Sequence, residues 1–217
     1  MLSNTTKGLS FVMLSVDARR LLEQSAATYH AQIDTAKEYL RTRGVTRRTA
    51  DMYKLGVVAT PMIGDEQYVG RIAIPYLTPT GVVDIRYRAM GNDDSPKYLS
   101  RPGAHDTMFG VNAFAVDSDV IAICEGEFDT MIVNSEVGVP AVGLSGANKW
   151  KNWYARAFQD YRKVFVLADG DQAGADMGKR IAQSIDVAVV VSMPEGMDVT
   201  DVFLAEGADG IRRRVGL

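Results

Sequence analysis

The chain reads as an α/β protein: a central parallel sheet flanked by helices, preceded by a smaller α+β lobe. Three features of its 217 residues say so. Two short apolar, β-branched runs, residues 120–123 (Val-Ile-Ala-Ile) and 164–167 (Val-Phe-Val-Leu), have the length and composition of strands buried on both faces. Each runs into an acidic, glycine-bearing cluster, Cys124-Glu125-Gly126-Glu127-Phe128-Asp129 and Ala168-Asp169-Gly170-Asp171, that opens a helix-like segment. A third apolar run, 187–191, leads to another acidic cluster at Asp198-Val-Thr-Asp201.

The remaining elements follow in order. Residues 17–43 predict one long amphipathic helix, and the Thr46 hydroxyl is placed to cap a short helix after it. Residues 55–100 predict a small antiparallel sheet with Pro79-Thr80-Gly81 as a turn. Residues 119–207 predict a βαβαβαβ alternation. The chain divides into a polar leader (1–16), an α+β subdomain (17–118) and the parallel-sheet domain (119–217), with no flexible linker around 113–118. The two lobes are therefore expected to share a cleft.

The acidic clusters carry the chemistry. Ligands of open α/β sheets bind at the carboxyl ends of strands, and two neighbouring strands would deliver Glu125, Asp169 and Asp171 to one patch. An isolated Asp-Gly-Asp suits a turn or a helix cap. Repeated behind successive strands, the acids instead call for a cation between them, because clustered carboxylates repel. Oxygen-only donors favour Mg²⁺ or Mn²⁺, and Mg²⁺ held by few carboxylates implies phosphate chemistry.

Over residues 119–207, nearly half the chain, this constellation resembles the Toprim domain of DnaG-type primases, topoisomerases and some nucleases. The upstream segments Gly70-Arg-Ile-Ala-Ile-Pro75, Gly81-Val-Val-Asp-Ile-Arg-Tyr-Arg88 and Ser95-Pro-Lys-Tyr-Leu-Ser100 resemble the first half of the DnaG-type polymerase core. So do Tyr39-Leu-Arg-Thr-Arg-Gly-Val-Thr46 and Lys54-Leu-Gly-Val57, which extends the likeness from about residue 17 to 207. Two departures stand out: His105-Asp-Thr-Met-Phe-Gly110 lacks the family's Lys-Gly-Arg, and Thr200 occupies the spacing of a third-motif acid.

The resemblance implies a primase core that makes short RNA primers on single-stranded DNA from ribonucleoside triphosphates. It implies Asp169 and Asp171 as metal ligands, with Glu125, Asp198 and Asp201 around the metal, and Glu125 and Asp129 as further catalytic acids. Arg88 and Lys97, with Arg86 and Lys149, would face template or nucleotide. The alternatives are a Toprim nuclease and a non-catalytic accessory module. DnaG-type primases also carry zinc-binding and helicase-contacting parts, so a fragment or a split primase is expected, partnered by a replicative helicase or a separate zinc-binding or helical subunit.

Composition agrees. At 47% hydrophobic the chain can bury a sizeable core, no apolar run approaches the ~18–20 residues of a membrane span, and the expected location is cytoplasmic. A single cysteine, Cys124, excludes an internal disulfide and a Cys-rich zinc ribbon and suits a core strand. His30 and His105 stand alone, and Trp150 and Trp153 suit helix packing. The net charge of −3 divides into about +2 over residues 1–118 and about −5 over 119–217, a mildly basic lobe beside a carboxylate-rich one. Two arginine groups, Arg41/Arg43/Arg47/Arg48 and Arg86/Arg88/Lys97/Arg101, are the candidate phosphate-facing patches.

Overall fold

Alternation along the strands explains the architecture. In the computed structural model, which describes residues 14–91, 96–104 and 106–217, Ile121 and Ile123 of β5 (Val120–Cys124) join one core, whereas Ala122 and Cys124 join another. Val164 and Val166 of β7 (Lys163–Ala168) pack with the first pair, Phe165 and Leu167 with the second. Both faces are apolar because both are covered. Met177 and Ile181 of α5 (Gln172–Ala182) close one side. Ile132 of α4 (Glu127–Ile132) and Val199, Val202 and Ile211 of α6 (Val199–Val215) close the other. With β6 (Ala141–Gly143) and β8 (Ala188–Ser192) the sheet is fully parallel, in the order β6-β5-β7-β8.

The first lobe is an antiparallel sheet of β1 (Gly56–Val57), β2 (Ile72–Thr78), β3 (Gly81–Arg88) and β4 (Tyr98–Ser100), paired in sequence order. The expected turn joins β2 to β3, and Gly81 there has φ +113°, a backbone few residues with a Cβ adopt. Most of the leader (1–13), Ser95 and His105 lie outside the described residues.

Three expectations need correction. Residues 17–43 form not one helix but α1 (Val16–His30), a 3₁₀ turn at Ile33–Ala36 and α2 (Lys37–Thr42). The break lets Gln32 Oε1 accept from the amides of Ala59 and Thr60 at 3.0 and 2.9 Å, and seats the Tyr29 hydroxyl 2.6 Å from Asp65. Nor is His30 isolated, since its Nδ1 lies 2.6 Å from the Leu55 carbonyl. Likewise the link from β6 to β7 holds two 3₁₀ segments, Ala147–Lys149 and Asn152–Phe158, rather than an α-helix. Tyr154 Oη and Lys151 Nζ both donate to the Asp106 carbonyl, drawing this link onto the neighbouring loop. Thr46 does cap α3 (Arg47–Met52), accepting from the Thr49 amide at 3.1 Å.

The lobes are not merely adjacent. One core combines Leu40, Leu55, Ile72 and Ile74 with Phe128 and Met131 of α4. Phe109 lies in the same core and bonds Gly143 of β6 through both its backbone groups, at 2.8 and 2.9 Å.

Candidate active site

From β5 the chain crosses to β6 on one side, then returns past β5 to β7 on the other, so the direction of winding reverses between β5 and β7. A crevice opens at the carboxyl ends of strands where this happens. Glu125 directly follows β5 and Asp169 directly follows β7. The fold thus brings the two acids to the place where open α/β sheets hold ligands.

Neither acid is satisfied. The Ala147 amide donates to the Glu125 carboxylate, but Oε2 is buried without a hydrogen-bond partner, and so is Asp169 Oδ1. Burial, then the charge of Asp171, raises the Glu125 pKa, while Lys97 acts against the rise. Burial and the charges of Asp129, Glu125, Asp198 and Asp171 push Asp169 up to about 8. A buried polar atom left unpaired is costly, more so on a charged group, and such strain collects at functional sites.

The other acids are more fully engaged. Asp129, 6% exposed, accepts at Oδ1 from the Thr200 amide (3.0 Å) and hydroxyl (2.7 Å). Burial and the charge of Asp198 push it up to about 6, with Thr200 and Arg43 opposing. Exposed Asp171 caps α5, accepting from the Gly174 amide at 2.8 Å. Asp198 and Asp201 form a capping box at the start of α6: each carboxylate accepts from the other's amide. Asp201 is thus turned toward its own helix, and Asp198 also pairs with Arg43 at 3.6 Å.

Among the described residues no three acids close into a ready-made cage. What Glu125 and Asp169 present is two open carboxylate oxygens on adjacent strands. That donor set fits Mg²⁺ or Mn²⁺, because Mg²⁺ keeps several waters and is held through one or two carboxylates plus substrate phosphates.

The basic candidates divide sharply. Lys97 is exposed beside β4 and lies within electrostatic reach of Glu125. Lys149 is half-exposed and paired with Asp106 at 2.9 Å. Arg88 does not open onto the cleft as expected. It is 7% exposed, donates to the hydroxyls of Tyr39 and Tyr98, and lies 4.8 Å over the Phe128 ring and 5.1 Å over Tyr98. Arg86 is also largely buried, with its Nη1 2.6 Å from Glu127. The closing of the lobes covers Arg88, whereas Arg86 still lines a small cleft with Asp106, Ser145 and Lys149. In the other arginine group, Arg41 pairs with Glu38, and Arg47 with Asp34 and Asp51. Sequence reasoning passed over Glu127, Thr200 and Tyr98 as parts of the site. Thr200 shows in the sequence only as a departure at a motif spacing, Tyr98 only inside Pro-Lys-Tyr-Leu, and Glu127 only as an acid in the first turn of a helix, where an acid is ordinary.

Comparison with known proteins gives a consistent picture. The Toprim domain family matches residues 120–209. The Gene 57 protein of Mycobacterium phage D29 is 37% identical over 153 residues, covering 68% of this chain and 99% of that protein. A DNA primase of Aquifex aeolicus is 25% identical over 185 residues, which span 81% of this chain but only 34% of the primase. The structure of the DnaG primase catalytic domain bound to ssDNA superposes with a TM-score of 0.75 at 19% identity, covering 91% of this chain and 80% of that one.

Proposed function

We propose, for a chain that carries a Toprim domain and belongs with the Gene 57 protein of Mycobacterium phage D29, that the two lobes form a DnaG-type catalytic core for template-directed synthesis of short RNA primers. The observation that carries this reading is the pair of unpartnered, buried carboxylate oxygens, Glu125 Oε2 and Asp169 Oδ1, at the switch point of the parallel sheet. The chain spans about a third of the Aquifex primase, so activity, substrates and partners belong to this proposal.

In the proposed reaction a primer 3′-hydroxyl attacks the α-phosphorus of a ribonucleoside triphosphate, and the bond to the leaving pyrophosphate breaks. Asp169 and Asp171 would hold Mg²⁺ or Mn²⁺, with Glu125 and Asp198 beside them. Bound there, the cation neutralises phosphate charge and lowers the pKa of the attacking hydroxyl. Glu125, its pKa raised by burial, is suited to accept or relay the proton of that hydroxyl. Asp129, held by Thr200, orients the start of α6 and with it Asp198. Exposed Lys97 offers a cation to template or nucleotide phosphate, and Lys149 can do so by releasing Asp106. Single-stranded DNA and ribonucleoside triphosphates are the substrates of this reading, and a replicative helicase or a zinc-binding primase subunit is its partner.

The test incubates the protein with single-stranded DNA, Mg²⁺ or Mn²⁺ and labelled ribonucleotides, and sizes the products. Short RNA that requires template, metal and all nucleotides supports a primase. DNA cleavage without nucleotides would make the chain a nuclease, and retained DNA binding with neither product would make it an accessory module.

A further inference from the structure

Glu127 stands two residues past Glu125, and the proposed reaction leaves it without a part. It is the first residue of α4 and is 1% exposed. Its Oε1 accepts from Arg86 Nη1 at 2.6 Å and from the Tyr76 hydroxyl at 2.8 Å. Both donors belong to the antiparallel lobe, Tyr76 on β2 and Arg86 on β3. The contact therefore crosses between the lobes at the turn that carries Glu125.

Arg86 extends the connection further. Its guanidinium lies 4.1 Å from the centre of the Tyr98 ring, and Tyr98 is the neighbour of Lys97. Arg88 reaches the same ring from 5.1 Å and the Phe128 ring, next along α4 from Glu127, from 4.8 Å. The Glu125 turn and the Lys97 segment are thus tied through one set of side chains.

Stability is a poor reason for such an arrangement, because the cost of desolvating a buried ion pair offsets most of its attraction. Direction is a better one. A single acceptor oxygen with two donors at hydrogen-bond distance, backed by a stacked ring, fixes where the first turn of α4 sits relative to β3 and β4. Gly126, the N-cap of α4, has no side chain to do so from within its own loop.

We propose that Arg86, Glu127 and Tyr76 form an inter-lobe brace of positioning residues that holds the Glu125 turn and the Lys97 segment at their working separation. The brace rests on the primase reading for its effect on rate, but not for its effect on structure. Arg86 acts through Glu127 and Tyr98 and does not bind phosphate.

The experiment compares wild type with Glu127→Gln, Arg86→Met, Arg86→Lys, Tyr76→Phe and the double variant Arg86→Met/Glu127→Gln. Primer synthesis is measured at several salt concentrations, and amide exchange is followed over residues 96–101 and 120–132. Glu127→Gln and Arg86→Met should lower kcat roughly 10- to 100-fold, the scale expected of a misplaced catalytic group. KM for template should stay within about twofold of wild type and keep its salt dependence, while both segments exchange faster. The double variant should be no worse than Arg86→Met, Arg86→Lys should recover part of kcat, and Tyr76→Phe, which loses one hydroxyl, should show a smaller loss of the same kind. A raised template KM with a salt slope reduced by about 1, at unchanged kcat and exchange, would make Arg86 a phosphate contact and overturn the brace. Unchanged kcat and unchanged exchange in Glu127→Gln would overturn it as well. Should wild type make no primers, the primase reading fails, and the exchange rates alone decide the brace.

Discussion

The two lobes handle charge in opposite ways. On the antiparallel side the buried cations are compensated: Arg86 by Glu127 and Tyr98, Arg88 by two hydroxyls and two rings, Arg71 by the Pro96 carbonyl. Even Arg43 and Arg101, each with one nitrogen that lacks a hydrogen bond, sit in ion pairs with Asp198 and Asp65. On the parallel side the acids are crowded together, and Glu125 and Asp169 each keep a buried oxygen unpaired. One side is complete as folded. The other becomes complete when something positive arrives. The basic composition of the first lobe therefore says less about template binding than about how the lobes are joined.

This asymmetry can be broken most forcefully at Glu125. Glu125→Gln should cost on the order of 10²–10⁴-fold in primer synthesis while template affinity, read by fluorescence anisotropy, holds steady. Equal loss of both would place the residue in docking rather than chemistry. Next, Asp169→Asn combined with Asp171→Asn should weaken Mn²⁺ binding at least ~10-fold by calorimetric titration, with the fold intact by circular dichroism. Unchanged affinity would move the cation elsewhere.

The basic side makes the contrasting prediction. Arg88→Ala should destabilise the protein by ~1–3 kcal/mol in urea unfolding, because it removes a buried side chain and leaves two partly buried hydroxyls without their donor. Lys97→Ala should leave stability alone and reduce the salt slope of template binding by about 1. If the two effects were exchanged, Arg88 would be the phosphate contact.

The smallest effect concerns pH. Asp169 holds its proton to about 8 in the folded chain, against an ordinary 3.8. The unfolded chain releases that proton first, so as pH rises from about 4 to about 8 this residue makes the metal-free protein progressively less stable. Asp169→Asn should remove that slope and gain ~0.5–2 kcal/mol at pH 8, read as a shift in the urea midpoint. Mg²⁺ should bind more tightly over the same pH range, because it displaces the proton.

Much of this was legible in the sequence where one element determined its own surroundings. The runs at 120–123 and 164–167 read correctly as strands because each is buried on both faces, and Glu125 and Asp169 could be placed because they end those strands. The valines of β8 gave the same apolar signal, yet Val189 and Val190 are 43% and 39% exposed because β8 is the edge of the sheet. The break after His30 was hidden because the amides that Gln32 caps belong to Ala59 and Thr60, far along the chain. Arg86 and Arg88 read as outward-facing in the sequence for a similar reason. Their partners Glu127 and Phe128 lie about forty residues on and meet them only once the lobes close.

The loops that follow β7 and β8 are clipped together. The Gly170 amide donates to the Met197 carbonyl at 2.9 Å, the Gly196 amide donates to the Gly170 carbonyl at 2.8 Å, and a Cβ on Gly170 would stand 1.8 Å from the Pro194 carbonyl oxygen. Surface loops ordinarily absorb added or deleted residues with little harm. These two cannot vary independently, because one extra residue in either would move Asp169 and Asp198 out of register with each other. In a lineage that diversifies by insertion, their lengths should be frozen together while the loops of the antiparallel lobe drift.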